Sequence, residues 1–154
     1  MPKKTISRIL ATFFFVGYSP KASGTVASLV TLVIAWFLLP QGIAPNLAIC
    51  AVILIISLWS SGQAEEIFGK DNRRIVIDEV AGMLVSILFI AKSVNLYLAA
   101  FILFRFFDVV KPFPLKNLEK LKSGWGVTLD DIGAGIYANI CLQLLLYLKT
   151  TLHI

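Results

Sequence analysis

Charge is scarce in this 154-residue chain and is confined to the gaps between five long apolar runs. The runs cover residues 25–39, 47–61, 80–91, 96–104 and 132–148, and all nine carboxylates lie outside them. Asp71 with Asp78 and Glu79, then Asp108, then Asp130 and Asp131 make up three short acidic stretches. The composition is 58% hydrophobic and 15% charged, with a mean hydropathy of +0.84. A soluble domain carries roughly 25% charged residues to cover its surface. That supply is missing here, so the expected class is an integral membrane protein, all-α, built as one domain over residues 1–154. Leu, Ile, Val, Ala and Phe fill the runs without a period of two, which selects helix over strand.

The reading is a polytopic helical bundle of about five apolar helices, with an N-terminal amphipathic or re-entrant segment over residues 6–16. The runs 80–91 and 96–104 are short against the ~20 residues that span a bilayer. Extending them through Asp78-Glu79 and Arg105–Asp108 restores length and draws those charges to the membrane boundary. Pro40, Gly42 and Pro45 separate the first two helices, and Pro112 and Pro114 end the fourth. The basic, apolar N-terminus resembles a signal sequence, but Tyr18–Lys21 is a poor cleavage site and the segment reads as retained.

Orientation follows from lysine and arginine. With the N-terminus in the cytoplasm, Lys92 and Lys149 lie outside and the other twelve of the fourteen basic residues lie inside. This positive-inside bias supports all five crossings jointly. The carboxylates also fall on the inner face, although they played no part in the assignment.

Four patterns converge there. In the first, Gly24-Thr25 opens a helix whose free N–H groups suit an anion, with Ser23, Thr25 and Ser28 as hydroxyl donors; an ordinary helix cap is the plainer alternative. Next, Asp78 and Glu79 sit in a first turn, where the dipole favours acids. They point about 100° apart, so one should face the bundle, beside Gly82. Third, Arg105 and Asp108 share a helical face, with Lys111 nearby, as a phosphate clamp or a snorkelling ion pair. Finally, Asp130 and Asp131 open the last helix, with Thr128 and Asp131 as a candidate capping box and Gly135 on the Asp131 face.

Hard oxygen ligands without histidine or thiolate argue for Mg²⁺ rather than zinc. The sole histidine is His153, and Cys50 and Cys141 stand alone in apolar runs. Cationic side chains and a helix N-terminus argue for phosphate. Together they point to a phospholipid headgroup at a bilayer surface. The competing reading is a small transporter or channel component with a charged cytoplasmic vestibule. That reading requires a polar path to both faces, and the outer loops 41–46 and 92–95 are short and nearly featureless.

The stretches SPKASGTVAS, IDEVAGM, FRFFDVVKPFPL and GWGVTLDDIGAGIYAN, in that order, resemble the phosphatidylglycerophosphatase A family from Ser19 to Asn139. The chain departs from the family pattern at Ser23 and Ala27, where proline and glycine are usual. The resemblance implies a Mg²⁺-dependent enzyme of the bacterial inner membrane that hydrolyses phosphatidylglycerophosphate to phosphatidylglycerol and inorganic phosphate. Its expected partners are the membrane and a phospholipid, not nucleic acid.

On this reading Glu79, Asp130 and Asp131 hold Mg²⁺, with Asp78 as a ligand or support. Arg105 and Lys111 hold the phosphoryl group, and Asp108 orients Arg105 or acts as general base. Gly24, Thr25 and Ser28 offer a second phosphate contact. Lys116, Lys120 and Lys122 are expected near anionic lipid heads.

Overall fold

A computed structural model describes residues 2–70, 72–121 and 123–152. Asp71, Lys122 and His153, which figure in the sequence reading, lie outside the described residues. The elements are α1 (Pro2–Ala11), a 3-10 turn (Val16–Tyr18), α2 (Ser23–Leu38), α3 (Ile43–Phe68), α4 (Ile77–Ser86), α5 (Val94–Val110), α6 (Leu115–Leu118) and α7 (Trp125–Thr151). Among the described residues there is no strand.

Prolines and glycines set several of the boundaries. Pro45 falls in the first turn of α3, where its missing N–H costs nothing. Lys111 ends α5 in the left-handed region, and Pro112 follows. Gly124 starts α7 at φ +69, with its Cα against the α3 backbone at Gly62. A side chain at Gly124 would therefore be excluded both by conformation and by space. This start precedes Asp130 and Asp131 by more than a turn, so the acids do not open the helix. Thr128 is not a cap either. It is fully buried, and its hydroxyl pairs with Ser57 of α3 at 3.0 Å.

Helices α3 and α7 are long and apolar enough, by length and composition, to cross a membrane. At 1.5 Å per residue the 26 and 27 residues reach roughly 40 Å. The run 80–91 does not form one such helix. Helix α4 has ten residues, roughly 15 Å, and stops at Ser86. The stop has a local cause on α7. Asn139 donates to the carbonyls of Val85, Ser86 and Leu88 at 3.2, 3.0 and 2.6 Å, taking up groups that a longer helix would satisfy internally.

Helix α4 lies at the centre of the bundle. It packs most extensively on α7 and also meets α2, α3 and α5. Its buried residues include Ile77, Val80, Met83 and Leu84 as well as Asp78. The α4–α7 contact closes at two glycines. A Cβ on Gly82 would lie 2.6 Å from the Asp131 carbonyl, and one on Gly135 would collide with the Gly82 carbonyl.

The segment 6–16 is not a single helix. Helix α1 ends at Ala11, and Phe13, Phe14 and Phe15 adopt positive φ of 44°, 50° and 73°. Each such residue costs about 1–2 kcal/mol, so tertiary contacts must hold the turn. Ser7, Ala11 and Thr12 are fully buried, while Ile6, Phe14 and Phe15 point outward.

Candidate active site

Three helix ends and one loop converge on a cavity of about 100 Å³. Asp78 and Glu79 arrive in the first turn of α4, Asp130 and Asp131 in the second turn of α7, and Asp108 at the end of α5. Lys111 follows α5, and the 69–76 loop adds Asn72, Arg73 and Ile75. Asp78 and Glu79 both reach the cavity, not one as expected from their 100° separation, and so do Asp130 and Asp131. The cavity sits off the end of α4, so neighbouring first-turn side chains can converge on it.

Asp78, Asp130 and Asp131 are 6%, 3% and 5% exposed. Removing several carboxylates from water costs several kcal/mol each unless a cation compensates. Lys111 supplies part of that charge. Its ammonium lies 2.5 Å from Asp130 Oδ2 and 3.5 Å from Glu119. Burial pulls the Lys111 value down, and the hydrogen bond and charge of Asp130 more than offset this, so it stands raised above the ordinary lysine range. Arg105 is engaged with Asp108 at 2.7 Å. Neither Arg105, Thr25 nor Ser28 lines the cavity.

Gly24 does meet the site. A Cβ there would collide with the Glu79 carboxyl, so α2 can approach Glu79 only through glycine. The Ser28 hydroxyl is fully buried and donates to the Gly24 carbonyl at 2.8 Å, inside the helix. Ser23 donates to the Arg73 carbonyl and ties the start of α2 to the cavity loop. A proline at position 23 could not make that bond.

One oxygen each from Asp78, Glu79 and Asp131 lies within 4.8 Å of the others, a spacing that could hold a metal ion. Asp130, expected among the ligands, is instead drawn towards Lys111. Glu79 Oε2 and Asp130 Oδ1 are buried with no hydrogen-bond partner. A buried carboxylate oxygen without a donor is costly, and a hard cation held by the cluster would satisfy Glu79 Oε2. The donor set therefore fits a divalent ion bound through oxygen.

Sequence reasoning missed Asn72 and Arg73 as lining residues, because a basic loop reads first as a topology signal. It also missed the role of Asn139. An isolated asparagine in an apolar helix was the available clue.

Known proteins resemble this chain along most of its length. The family model described as phosphatidylglycerophosphatase A matches residues 9–146. A phosphatidylglycerophosphatase A of Haemophilus influenzae is 35% identical over 155 residues, covering 95% of each chain. A Bacteroides thetaiotaomicron relative named "Putative phosphatidylinositol-3-phosphatase" is 34% identical, covering 87% of this chain and 89% of its own. A phosphatidylglycerophosphatase A of Escherichia coli is 29% identical, covering 83% and 76%. No solved structure gives a significant match. The chain belongs to the phosphatidylglycerophosphatase A family, and with it to the phosphatases that hydrolyse phosphoric monoesters.

Proposed function

We propose that this protein is a Mg²⁺-dependent lipid phosphatase of the bacterial inner membrane. It converts phosphatidylglycerophosphate to phosphatidylglycerol and inorganic phosphate at the cytoplasmic face. The observation that carries the reading is the oxygen cluster of Asp78, Glu79 and Asp131, with Glu79 Oε2 buried and unpartnered. Mg²⁺ bound there would offset the charge on phosphate oxygens and make water a better nucleophile.

The chain's own residues supply the rest. Lys111 faces the cavity and attracts a phosphoryl oxygen, with Asp130 holding its ammonium in place. Asp130 Oδ1 takes a proton from the attacking water as the new P–O bond forms. It returns that proton to the glycerol oxygen as the ester P–O bond breaks. Asp108 orients Arg105, whose positive charge favours the ionised form of Glu79. Gly24 lets α2 close over the Glu79 carboxyl.

A membrane setting is supported by what the helices expose. Val52 and Ile55 of α3, Ile102 of α5, Phe37 of α2 and Leu144 and Leu145 of α7 are all exposed. Large exposed apolar surface of this kind marks a membrane or partner contact. The five apolar runs are then read as a polytopic bundle in one domain, with α4 a half-length helix enclosed by its neighbours. Lys92 lies at the end opposite the cavity, donating to the Leu39 carbonyl at 3.4 Å. The name of the Bacteroides relative favours a second substrate, a 3-phosphorylated inositol lipid.

Phosphate release from each lipid in detergent, with and without Mg²⁺, tests the reading beside Glu79→Gln and Asp131→Asn. Mg²⁺-dependent release from phosphatidylglycerophosphate, lost in both folded variants, is expected. Release from the inositol lipid alone would replace the substrate. Release independent of the metal and of both acids would overturn the site.

A further inference from the structure

Two arginines outside the carboxylate cavity share one aromatic platform. Arg8 comes from the last turn of α1, and Arg74 from the loop that also supplies Asn72 and Arg73 to the cavity. The Arg8 guanidinium carbon lies 5.8 Å from the Tyr18 ring centre and 5.9 Å from that of Phe68. For Arg74 the distances are 5.2 and 5.6 Å. The two rings meet edge to face at 6.5 Å. Arg8 also donates from Nε to the Tyr18 hydroxyl at 2.9 Å, a bond that does not use its terminal amino groups. Among the described residues, neither arginine has a carboxylate within ion-pair distance.

Two positive charges gathered on the same rings repel each other unless an anion or water lies between them. Contact with the rings restricts both side chains, so less side-chain entropy remains to be lost on binding. A planar guanidinium fork matches the oxygens of a phosphate. The surroundings indicate which kind of phosphate. Phe15 packs on Tyr18 at 6.1 Å, and Phe14 and Phe15 are 66% and 56% exposed. Tyr18, 38% exposed beside them, is an amphipathic ring of the kind that sits where apolar chains meet headgroups. A phosphate at that level is a lipid phosphodiester, not a free ion in water.

We propose that Arg8 and Arg74, held on Tyr18 and Phe68, form a binding site for the phosphodiester of an anionic phospholipid, separate from the carboxylate cavity. The proposal rests on the lipid phosphatase reading. Two lipids could present that group: the substrate itself, through its own diester, or a neighbouring anionic phospholipid.

Phosphatidylglycerol is the deciding probe, because it carries the diester and no monoester. Its binding to purified protein in neutral detergent is measured by native mass spectrometry for wild type, Arg8→Gln, Arg74→Gln and the double variant. The double variant should bind roughly tenfold more weakly. The double Arg→Lys variant keeps the charge and retains part of the binding, which serves if the glutamine variants lose stability. Lys92→Gln, at the far end of the bundle, should bind as wild type does. A parallel assay of phosphatidylglycerophosphate hydrolysis identifies the lipid. A raised KM in the double variant with kcat nearly unchanged assigns the substrate's own diester. Weakened binding with unchanged kinetics assigns a neighbouring lipid. Wild-type binding of phosphatidylglycerol by the double glutamine variant overturns the proposal, even if hydrolysis proceeds. Loss of that binding, with no hydrolysis by wild type, supports this site and removes the substrate assigned to the cavity.

Discussion

Gly82 of α4 and Gly135 of α7 stand backbone to backbone, so that a Cβ on Gly135 would strike the Gly82 carbonyl. The contact lies one turn below the acids of both helices and sets how closely Asp78 and Glu79 approach Asp131. Gly135→Ala should destabilise the protein by about 1–3 kcal/mol through overpacking. Activity should fall further than stability, because the helices separate where the carboxylates meet. Thermal melting and phosphate release on the same preparation check this.

Gly24→Ala is predicted to act on the site more than on the fold. The added methyl would meet the Glu79 carboxyl, a side chain that can swing aside. The expected outcome is a melting temperature close to wild type. Mg²⁺ affinity, read from the metal dependence of hydrolysis, should drop roughly 10- to 100-fold. An unchanged metal dependence would show that Glu79 Oε1 is not needed where it lies.

Lys111→Met would leave Asp130, 3% exposed, without its close cation. Breaking a buried pair by removing one partner costs about 3–5 kcal/mol. The variant should be clearly destabilised and inactive. Combining it with Asp130→Asn should restore much of the stability but none of the activity. Chemical denaturation of the single and double variants, compared as a cycle, measures the coupling.

Asn139→Leu removes the amide that meets three carbonyls at the end of α4. Val85 keeps the Leu88 N–H at 3.2 Å, but the carbonyls of Ser86 and Leu88 lose their donor, at about 1–3 kcal/mol each. A loss of at least 2 kcal/mol is therefore expected. Amide hydrogen exchange should show the 85–90 turn opening before the rest of α4. Uniform protection in the variant would argue against a local role.

Chelation should abolish phosphate release, and Mg²⁺ should restore it. Glu79→Gln and Asp131→Asn should each lower the rate roughly 100-fold or more, since ligands matter at least as much as the groups behind them. Zn²⁺ is not expected to substitute well, because the cluster offers only carboxylate oxygens.

The all-helical architecture was legible in the sequence, because long runs of Leu, Ile, Val and Phe leave a backbone few other ways to satisfy its hydrogen bonds. The acidic pairs were legible for the same reason. Charge in so apolar a chain has few permitted positions, and Asp78, Glu79, Asp130 and Asp131 occupy some of them. The pairing of Gly82 with Gly135 was foreshadowed by the spacing of each glycine from its acid. Other features were hidden. Thr128 looked like a cap because Asp131 follows three residues later, yet Gly124 starts the helix earlier. Ser28 looked like a phosphate donor, yet its hydroxyl turns back to Gly24.

By itself, the sequence determined that this chain builds apolar helices and gathers its carboxylates and most of its cations at their ends. Both follow from the cost of placing a charge or a bare peptide group among apolar neighbours. Only the tertiary structure decided which carboxylates share a cavity, that Asp130 turns to Lys111, and that α4 stops at Ser86. Those outcomes depend on contacts between residues far apart in the chain. Asn139 meets the end of α4, Gly24 meets Glu79, and Arg8 meets the ring that Arg74 also covers. Residue spacing along one helix carries no record of what a second helix brings against it.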